Sequence, residues 1–549
     1  MSLLTVILLC ILGVGGGHSA VLDFQLQRRS TQTVTQEWVQ HAHDAQRTGY
    51  TPQTVPTPWR WKWAWNGPNA SGGIISGKTR IGHTVQPITG GGRVYIARGY
   101  WIELNNGNIT QGTGGVTALS ENTGGELWTV NPGGSIVTTP AYDTETDTLY
   151  AVSTNGYLYR LNAANGGTIG SFNAGSPMYH VPPCLLHDRV IISAGTRVYA
   201  LHKSTLGVIW SYNAGVTVET CPAYSVSRDY VVVGSSDLYV HCIRNSDGSR
   251  VWRAKPTPMN PADSTDRYPF RWRDGWPVIA DIHGYVLMKM RIDERVHFLG
   301  PYPVTNAQLR ARFTNNPGER TLFVMDLDDG STPFLCNVGG GNWGNGGSWA
   351  SPGPMPVVKH FPNGDEVVYC IGRGSTWHNA TWDSAFVEMV LDSHTVSGYQ
   401  GGDIRFINYV HPPGSSQPYL LTDEQPNPTM SGDVLFGGHW SAGLACVITN
   451  RSAPLGAFSP LSSRIQATYA PHIVTAQQPG ACPFSPTHYC DTLTQDDDPR
   501  QYPAGFYIYY DAGTVYDTYW RNYACWTVSN NTVYFLACCG ALVALEQGN

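Results

Sequence analysis

The hydrophobic pattern of this chain is a succession of short β-type stretches separated by turn residues. One unit recurs four times, and it consists of a strand with an apolar anchor, a polar turn and a second strand that usually ends in Trp. The anchors are Leu119, Leu161, Leu201 and Ile243, which are 42, 40 and 42 residues apart. A period near forty residues with this content is typical of the blades of a β-propeller. Because a blade buries its faces only against its neighbours, the repeats predict a closed ring.

Each unit also shows the signals of a four-stranded blade. Asn155-Gly156 lies between two β-type stretches, and this dipeptide favours a tight hairpin because both positions tolerate positive φ. A proline recurs close to the start of seven of the predicted inner strands. These prolines are Pro87, Pro140, Pro183, Pro222, Pro277, Pro352 and Pro428.

Four more anchors complete the predicted ring, at Met325, Leu391, Ile448 and Leu545. The sequence therefore predicts an all-β fold, an eight-bladed propeller of four-stranded antiparallel blades. We expect one domain over residues 20–549. Long inter-strand insertions are expected at about 254–270, 295–317 and 476–505.

The last blade ends shortly after its third strand and has no closing Trp. The stretch Trp59–Trp65 reads as a strand in which Trp alternates with other residues. We expect this strand to complete the last blade and to close the ring, which would remove an exposed sheet edge. The alternative is that its Trp stripe forms a surface for stacking on carbohydrate.

Composition supports many short strands rather than helices. The 549 residues include 61 Gly and 37 Pro, and only 13% are charged. The net charge is -6 and basic residues do not cluster, so nucleic acid is not an expected partner.

The N-terminus predicts export. An apolar run over residues 3–14 is followed by small residues, which is typical of a signal peptide over residues 1–19; an N-terminal membrane anchor is the alternative. A secreted, extracellular chain would keep 11 of its 12 cysteines, so disulfides are expected. Glycosylation is possible at the five sequons Asn69, Asn108, Asn379, Asn450 and Asn530.

The repeats resemble the PQQ-like (quinoprotein-type) β-propeller repeat family. The resemblance rests on the Ala-Leu-x-x-x-Thr-Gly-x-x-x-Trp type units and is strongest over residues 116–252. The segment from His43 to Pro52 also resembles the leader of secreted family members. The family includes dehydrogenases that hold pyrroloquinoline quinone (PQQ) and calcium in the ring centre, and binding proteins without a cofactor. The resemblance therefore implies the fold but leaves the function open.

Polar and aromatic residues just before the inner strands, or at the second-to-third strand hairpins, should gather at one end of the channel, which we call the mouth. Such a concave site is the default place for a ligand. The candidates are His83, His180, Glu219, Arg273, Asp274, Trp349, Asp423, Glu424, His439, Trp440 and Arg521.

Three cysteine and carboxylate features lie near the C-terminus. Cys538 and Cys539 form a vicinal pair, which either closes a ring or points its two side chains to opposite faces of a strand. Cys482 and Cys490 are expected to form a local disulfide. The run Asp496–Asp498 is expected to be a solvated loop, because it lacks the alternating ligand spacing of a calcium loop.

The leading functional prediction is a secreted binding or scaffold protein without a cofactor, which engages a protein or glycan partner at the mouth and loops. The alternative is a dehydrogenase of alcohols or sugars that depends on PQQ and calcium. That resemblance would make Glu219 and Asp274 calcium ligands or bases, and would place Arg273, Trp349, Cys538 and Cys539 against the quinone. The remaining catalytic candidates, His180 and His439 together with Glu424, would serve a hydrolase or lyase.

Overall fold

The structure is a computed structural model. It describes residues 37–55, 59–65, 85–103, 109–265, 269–292, 305–338, 354–373, 384–392, 398–408, 427–439, 442–448, 465–469, 526–536 and 542–547.

The described residues form 34 strands and little helix. The first twenty strands are β1 Tyr50–Thr51, β2 Trp59–Trp65, β3 Ile88–Gly90, β4 Arg93–Ala97, β5 Tyr100–Glu103, β6 Ile109–Gly112, β7 Val116–Ser120, β8 Glu126–Val130, β9 Ala141–Asp143, β10 Thr148–Val152, β11 Tyr157–Asn162, β12 Thr168–Asn173, β13 Cys184–Leu185, β14 Arg189–Ala194, β15 Arg197–His202, β16 Val208–Asn213, β17 Ala223–Ser225, β18 Tyr230–Gly234, β19 Val240–Arg244 and β20 Arg250–Ala254. The others are β21 Val278–Ala280, β22 Tyr285–Lys289, β23 Leu322–Asp326, β24 Val357–His360, β25 Glu366–Arg373, β26 Ser384–Val390, β27 Ile404–Asn408, β28 Thr429–Ser431, β29 Val434–His439, β30 Ala442–Ile448, β31 Ile465–Tyr469, β32 Thr527–Ser529, β33 Thr532–Leu536 and β34 Leu542–Gln547.

Eight of the sheets are the blades of a propeller, which confirms the predicted fold class. In order from the inner to the outer strand, they are β3-β4-β7-β8, β9-β10-β11-β12, β13-β14-β15-β16, β17-β18-β19-β20, β21-β22-β23, β24-β25-β26-β27, β28-β29-β30-β31 and β32-β33-β34-β2, and we number them 1 to 8. A small hairpin, β5-β6, is inserted into blade 1. The strands within each blade run antiparallel.

A Trp on the outer strand locks several blades onto the next one. Each ring lies against a Gly in the left-handed conformation, where a side-chain carbon would collide with the indole. Each indole N–H also donates to a backbone carbonyl of that next blade, at 2.6 to 2.9 Å. The pairs are Trp63 on Gly124, Trp128 on Gly166, Trp210 on Gly248 and Trp252 on Gly330. The closing Trp and the Gly of the repeat are therefore two halves of one contact between blades.

The two ends of the propeller lie in one sheet. Strand β2 is the outermost strand of blade 8, and Trp61 lies opposite Leu545 of β34. Trp63, on the same strand, docks on blade 1 through its bond to the carbonyl oxygen of Glu121 (2.9 Å). Blade 8 is thus tied to blade 1 by a residue that is distant in sequence from the rest of its own sheet.

The axis of the ring is filled by the chain itself, over residues 38–51, which we call the central segment. Its carbonyl oxygens accept hydrogen bonds of 2.8 to 2.9 Å from inner-strand amides of six blades. The donors are Thr89, Tyr142, Tyr224, Ile279, Val358 and Met430. Blade 3 is reached through the Gln40 side chain, which accepts from Leu185 N (3.0 Å). The central segment therefore bonds to seven blades, and β1 continues it as a parallel strand beside β28.

The central segment enters and leaves on the same face of the ring. Just before it, Glu37 accepts from Gly91 N (2.8 Å). At its end, Thr51 accepts from Gly432 N (2.9 Å). Gly91 and Gly432 both lie in turns between a first and a second strand. The opposite face, where fourth strands connect to first strands, is the mouth.

Blade 5 departs from the predicted four strands, because the described residues supply only three. The insertion predicted at about 295–317 lies between its second and third strands and contains helix α1, Asn306–Asn315, with Leu309 and Phe313 buried. Short 3-10 turns occupy Pro261–Asp263 and Pro317–Glu319. The predicted insertion at 476–505 lies outside the described residues.

The described side chains include five cysteines and the Asn of one predicted glycosylation site. Cys184, Cys221, Cys242, Cys336 and Cys370 are buried free thiols. Cys482, Cys490 and the Asp496–Asp498 run lie outside the described residues. At the Asn530 sequon the side-chain nitrogen donates to Glu121 (2.9 Å), so the atom that would carry a glycan is already engaged. Among the described residues, none of the helices combines the length and the apolar character that a membrane span requires.

Candidate functional site

The mouth is built from connections between consecutive blades. His180 precedes β13, Glu219 precedes β17, and Arg273 and Asp274 precede β21. Because these connections all lie on the same face of the ring, four of the predicted residues come together at one end of the channel. His180 and Asp274 adopt positive φ angles of 53° and 67°, which are uncommon for residues with a side chain. Backbone strain of this kind is often found at functional sites.

His180 and Asp274 face each other across the mouth. The distance from His180 Nε2 to Asp274 Oδ1 is 3.8 Å, and both side chains are buried. The Trp101 ring meets the imidazole edge to face, with 5.4 Å between centroids. Trp101 comes from the hairpin inserted into blade 1, so the site joins residues from distant parts of the sequence.

Glu219 is held by the backbone of the next connection. Its Oε2 accepts a hydrogen bond from Trp272 N (3.1 Å). Burial raises the pKa of Glu219, and the nearby charges of Arg271 and Arg273 offset only part of this effect. Its carboxyl group therefore takes up a proton more readily than an exposed Glu.

An aromatic and cationic stack forms the surface of the mouth. The Arg273 guanidinium carbon lies 4.6 Å from the centre of the Trp101 ring, within the range of a cation–π contact. Tyr179 contacts the same Trp101 ring, with 4.9 Å between the ring centroids. Tyr179 and Arg273 are half-buried, so their outer surfaces can contact a ligand.

The central segment contributes buried groups beneath the mouth, a feature that sequence reasoning missed. His41 contacts Trp276 edge to face at 4.3 Å, and burial lowers its pKa well below the usual value, so the ring is neutral. Arg47 donates to the carbonyl oxygens of Pro183 (2.9 Å) and Pro222 (3.2 Å), just before the inner strands of blades 3 and 4. The motif from His43 to Pro52 was the available signal, because it lies outside the repeats.

The other predicted mouth residues are not among the described side chains. His439 ends β29, at the second-to-third strand hairpin of blade 7, and only its backbone is described. The rest lie outside the described residues: His83, Trp349, Asp423, Glu424, Trp440, Arg521, Cys538 and Cys539.

The described residues do not complete a calcium site. Calcium takes six to eight oxygen ligands in proteins. Within the described ranges, no group of three or more His, Cys, Asp or Glu side chains is arranged to hold a metal. Calcium ligation by Glu219 and Asp274 therefore stays a prediction. We assign no chemical step to calcium or to the quinone.

A second cluster of ionisable groups lies on the opposite face, between blades 5 and 6. Glu366 is fully buried and accepts from His283 Nδ1 and from His360 Nδ1, both at 2.8 Å. It also accepts from His283 N (2.9 Å). The other imidazole nitrogen of His283 bonds to Asp392 (2.8 Å). We call Glu366, His283 and His360 the histidine clasp.

In the histidine clasp, the carboxylate and the two imidazoles stabilise each other's charged forms. Burial opposes the charged form of Glu366, but the two imidazoles outweigh it and lower its pKa to about 2. Burial likewise opposes protonation of His283 and His360, but the Glu366 carboxylate raises the pKa of both. Asp392 adds to this effect at His283, and Asp44 and Asp281 add to it at His360.

The histidine clasp predicts a stability optimum at mildly acidic pH. The contribution of the two imidazoles is complete below about pH 6.5, the pKa of a free His, and is lost as the pH rises through their raised pKa values. The contribution of Glu366 is complete above about pH 4.5 and is lost as the pH falls towards 2. We therefore expect the melting temperature to peak between these limits. Glu366→Gln should flatten the profile, and an unchanged profile would contradict the account.

Comparison with known proteins identifies the repeats. Residues 112–287 match the PQQ-like repeat family described as outer membrane protein assembly factor BamB. BamB from Shewanella oneidensis is 28% identical over 181 residues. That match covers 30% of this chain and 41% of the relative, so it spans about two fifths of the relative's length.

Two solved structures are similar at low identity. BamB from Moraxella catarrhalis is 12% identical with a TM-score of 0.46, over 89% of this chain and 99% of that one. Quinohemoprotein alcohol dehydrogenase from Comamonas testosteroni is 13% identical with a TM-score of 0.47, over 78% and 75%. Both are too distant to support an argument about function. Residues 112–287, which form the early blades of the ring, are thus a segment of PQQ-like β-propeller repeats, as the sequence predicts.

Proposed function

We propose that this chain is a scaffold that binds a protein partner at the mouth of the ring. The observation that carries the proposal is the stack of Tyr179, Trp101 and Arg273. Tyr179 and Arg273 come from two connections between blades, and Trp101 comes from the hairpin inserted into blade 1. Tyr, Trp and Arg are the residue types that dominate the binding energy of protein interfaces.

The filled axis supports a binding role. The central segment bonds to seven blades, so the middle of the ring is part of the structural core. A ligand at the mouth would rest on this core and contact the surrounding loops. The matched relative is named as an outer membrane protein assembly factor, which favours a protein partner over a glycan. We further propose that the chain acts after export, as the pattern of residues 1–19 predicts.

A photo-crosslinking comparison of the two faces tests this function. The same photoreactive phenylalanine would replace Tyr179 at the mouth or Tyr230, which is half-buried at a turn on the opposite face. We expect the Tyr179 variant to crosslink one polypeptide in cells that make the protein. The purified polypeptide should then bind wild type and bind Arg273→Ala at least about tenfold more weakly.

Two results would reject the scaffold. Equal crosslinking from both faces would show that the mouth has no special role. Dye reduction by the purified protein that requires added PQQ and calcium, together with an alcohol or sugar, would support the dehydrogenase alternative. Arg273→Gln is informative in that assay as well, because the family resemblance places Arg273 at the quinone.

A further inference from the structure

The outer edge of blade 5 contains a cavity that is separate from the mouth. In blades 3 and 4 the third strand pairs with a fourth strand, through Ala200 opposite Trp210 and Cys242 opposite Trp252. Blade 5 begins the same turn after its third strand. Asp326 N donates to Ser331 O (2.8 Å), and this bond is equivalent to the one from Arg244 N to Ser249 O in blade 4. The ladder then stops, because Pro333 has no N–H to donate.

The segment after this turn is anchored to blade 6 instead of to β23. The Phe334 ring lies where a side chain on Gly401 would be, so it occupies the place of the closing Trp of other blades. Asn337 N then donates to Gly402 O (2.8 Å). On the β23 side, no described strand pairs with the outer edge of β23. The segment is thus held away from the strand that it would normally join.

A cavity of about 320 Å³ opens between strand β23 and the segment over residues 332–336. Its volume is at the lower end of the range of ligand pockets. Its walls are mostly apolar or aromatic, and one cation, Arg320, lines it. The lining includes Arg320, Phe323, Thr332, Phe334, Leu335 and Cys336.

The charge of Arg320 gives the cavity its chemistry. Its Nε donates to Phe313 O (2.7 Å), which fixes the guanidinium at the wall. Burial lowers the pKa of Arg320, and within the described ranges it forms no ion pair with a carboxylate. The Cys336 thiol is neutral, because burial raises its pKa well above the usual value. A half-buried cation in an apolar wall favours a ligand that is apolar with one anionic end.

We propose that this cavity binds an apolar carboxylate, with the apolar part against Phe323 and Leu335 and the carboxylate on Arg320. The carboxylate could belong to a free fatty acid or to the C-terminal residue of a polypeptide. The proposal does not depend on the partner at the mouth, because the cavity is on the outer rim.

Calorimetric titration of the full chain tests the proposal with paired probes. The probes are dodecanoate, its uncharged amide, and a peptide that ends in Phe-Leu with either a free or an amidated C-terminus. We expect the free acid of at least one pair to bind about tenfold or more tightly than its amide, because a charge-assisted bond is lost in the amide. Dodecanoate alone would identify a small ligand, and the peptide acid alone would identify a protein terminus.

Three variants locate the binding. Arg320→Gln should bind the acid and the amide equally, and Thr332→Trp should fill the cavity and abolish binding of both. Arg197→Gln removes an exposed arginine outside the cavity and should behave as wild type. Retention of the acid preference by Arg320→Gln would overturn the proposal. No binding of any probe at 1 mM would also overturn it, provided that the melting temperature shows the wild type to be folded.

Discussion

Replacing Arg47 by Met is expected to lower the free energy of unfolding by about 4 kcal/mol. The guanidinium is fully buried and donates to His41 O (2.8 Å), Pro183 O (2.9 Å) and Pro222 O (3.2 Å). Methionine has a similar length and fills much of the same space. The variant therefore loses the bonds and leaves three buried carbonyls without this donor. Urea unfolding followed by Trp fluorescence measures the effect.

Arg47→Lys and Arg197→Met are the matched controls. Lysine keeps the charge but cannot reach three carbonyls in the planar geometry of arginine, so an intermediate loss is expected. Arg197 is exposed, and its replacement should change stability by less than about 0.5 kcal/mol. If Arg47→Met were as stable as the wild type, the central segment would not be part of the structural core.

Trp63→Ala is expected to cost about 3 to 5 kcal/mol. The ring packs on Gly124, and its N–H bonds to Glu121 O (2.9 Å). Alanine removes the contact by which blade 8 docks on blade 1. Trp63→Phe keeps much of the ring packing but loses the bond, so it should cost less. The unfolding midpoint in urea compares the two variants.

The position of Trp63 in the ring also predicts a local effect. Among the described residues, strand β2 pairs with β34 and makes one further side-chain bond within the sheet, from Lys62 Nζ to Thr532 Oγ1 on β33 (3.1 Å). Loss of its anchor on blade 1 should therefore allow it to detach more readily. Backbone amides of β34 should then exchange with solvent faster in Trp63→Ala. Trp128→Ala removes the equivalent contact between blades 1 and 2, where the chain is continuous, and should leave β34 exchange unchanged. Equal β34 exchange in both variants would contradict a docking role for Trp63.

The fold could be predicted from the sequence because it depends on local, repeated signals. The anchors Leu119, Leu161, Leu201 and Ile243 all lie in or next to third strands, and all four are fully buried. The Gly of the turn and the Trp of the outer strand recur because several boundaries between blades use the same contact. Four of the mouth residues followed from the same logic, since a residue just before an inner strand must lie on that face.

The remaining features depend on contacts between residues that are far apart in sequence. Nothing in the local pattern around Arg47 reveals that its acceptors are Pro183 and Pro222. The histidine clasp likewise joins His283 and His360 to a Glu on another strand. The described residues of blade 5 lack a fourth strand, and Pro333 was the one local signal of this, but a single proline does not show where the displaced segment goes.

The central claim is a closed ring whose two chain ends share blade 8, and an engineered crosslink tests it most directly. Ala64 and Val543 are register partners on β2 and β34. In a chain with both replaced by cysteine, the account predicts a disulfide between these two positions, identified by mass spectrometry of the oxidised protein. The control combines Ala64→Cys with Ala544→Cys. Position 544 is one residue away from the register partner of Ala64 and lies on the other sheet face, so this pair should not crosslink. Crosslinking of the shifted pair, or of neither pair in the folded protein, would contradict the account.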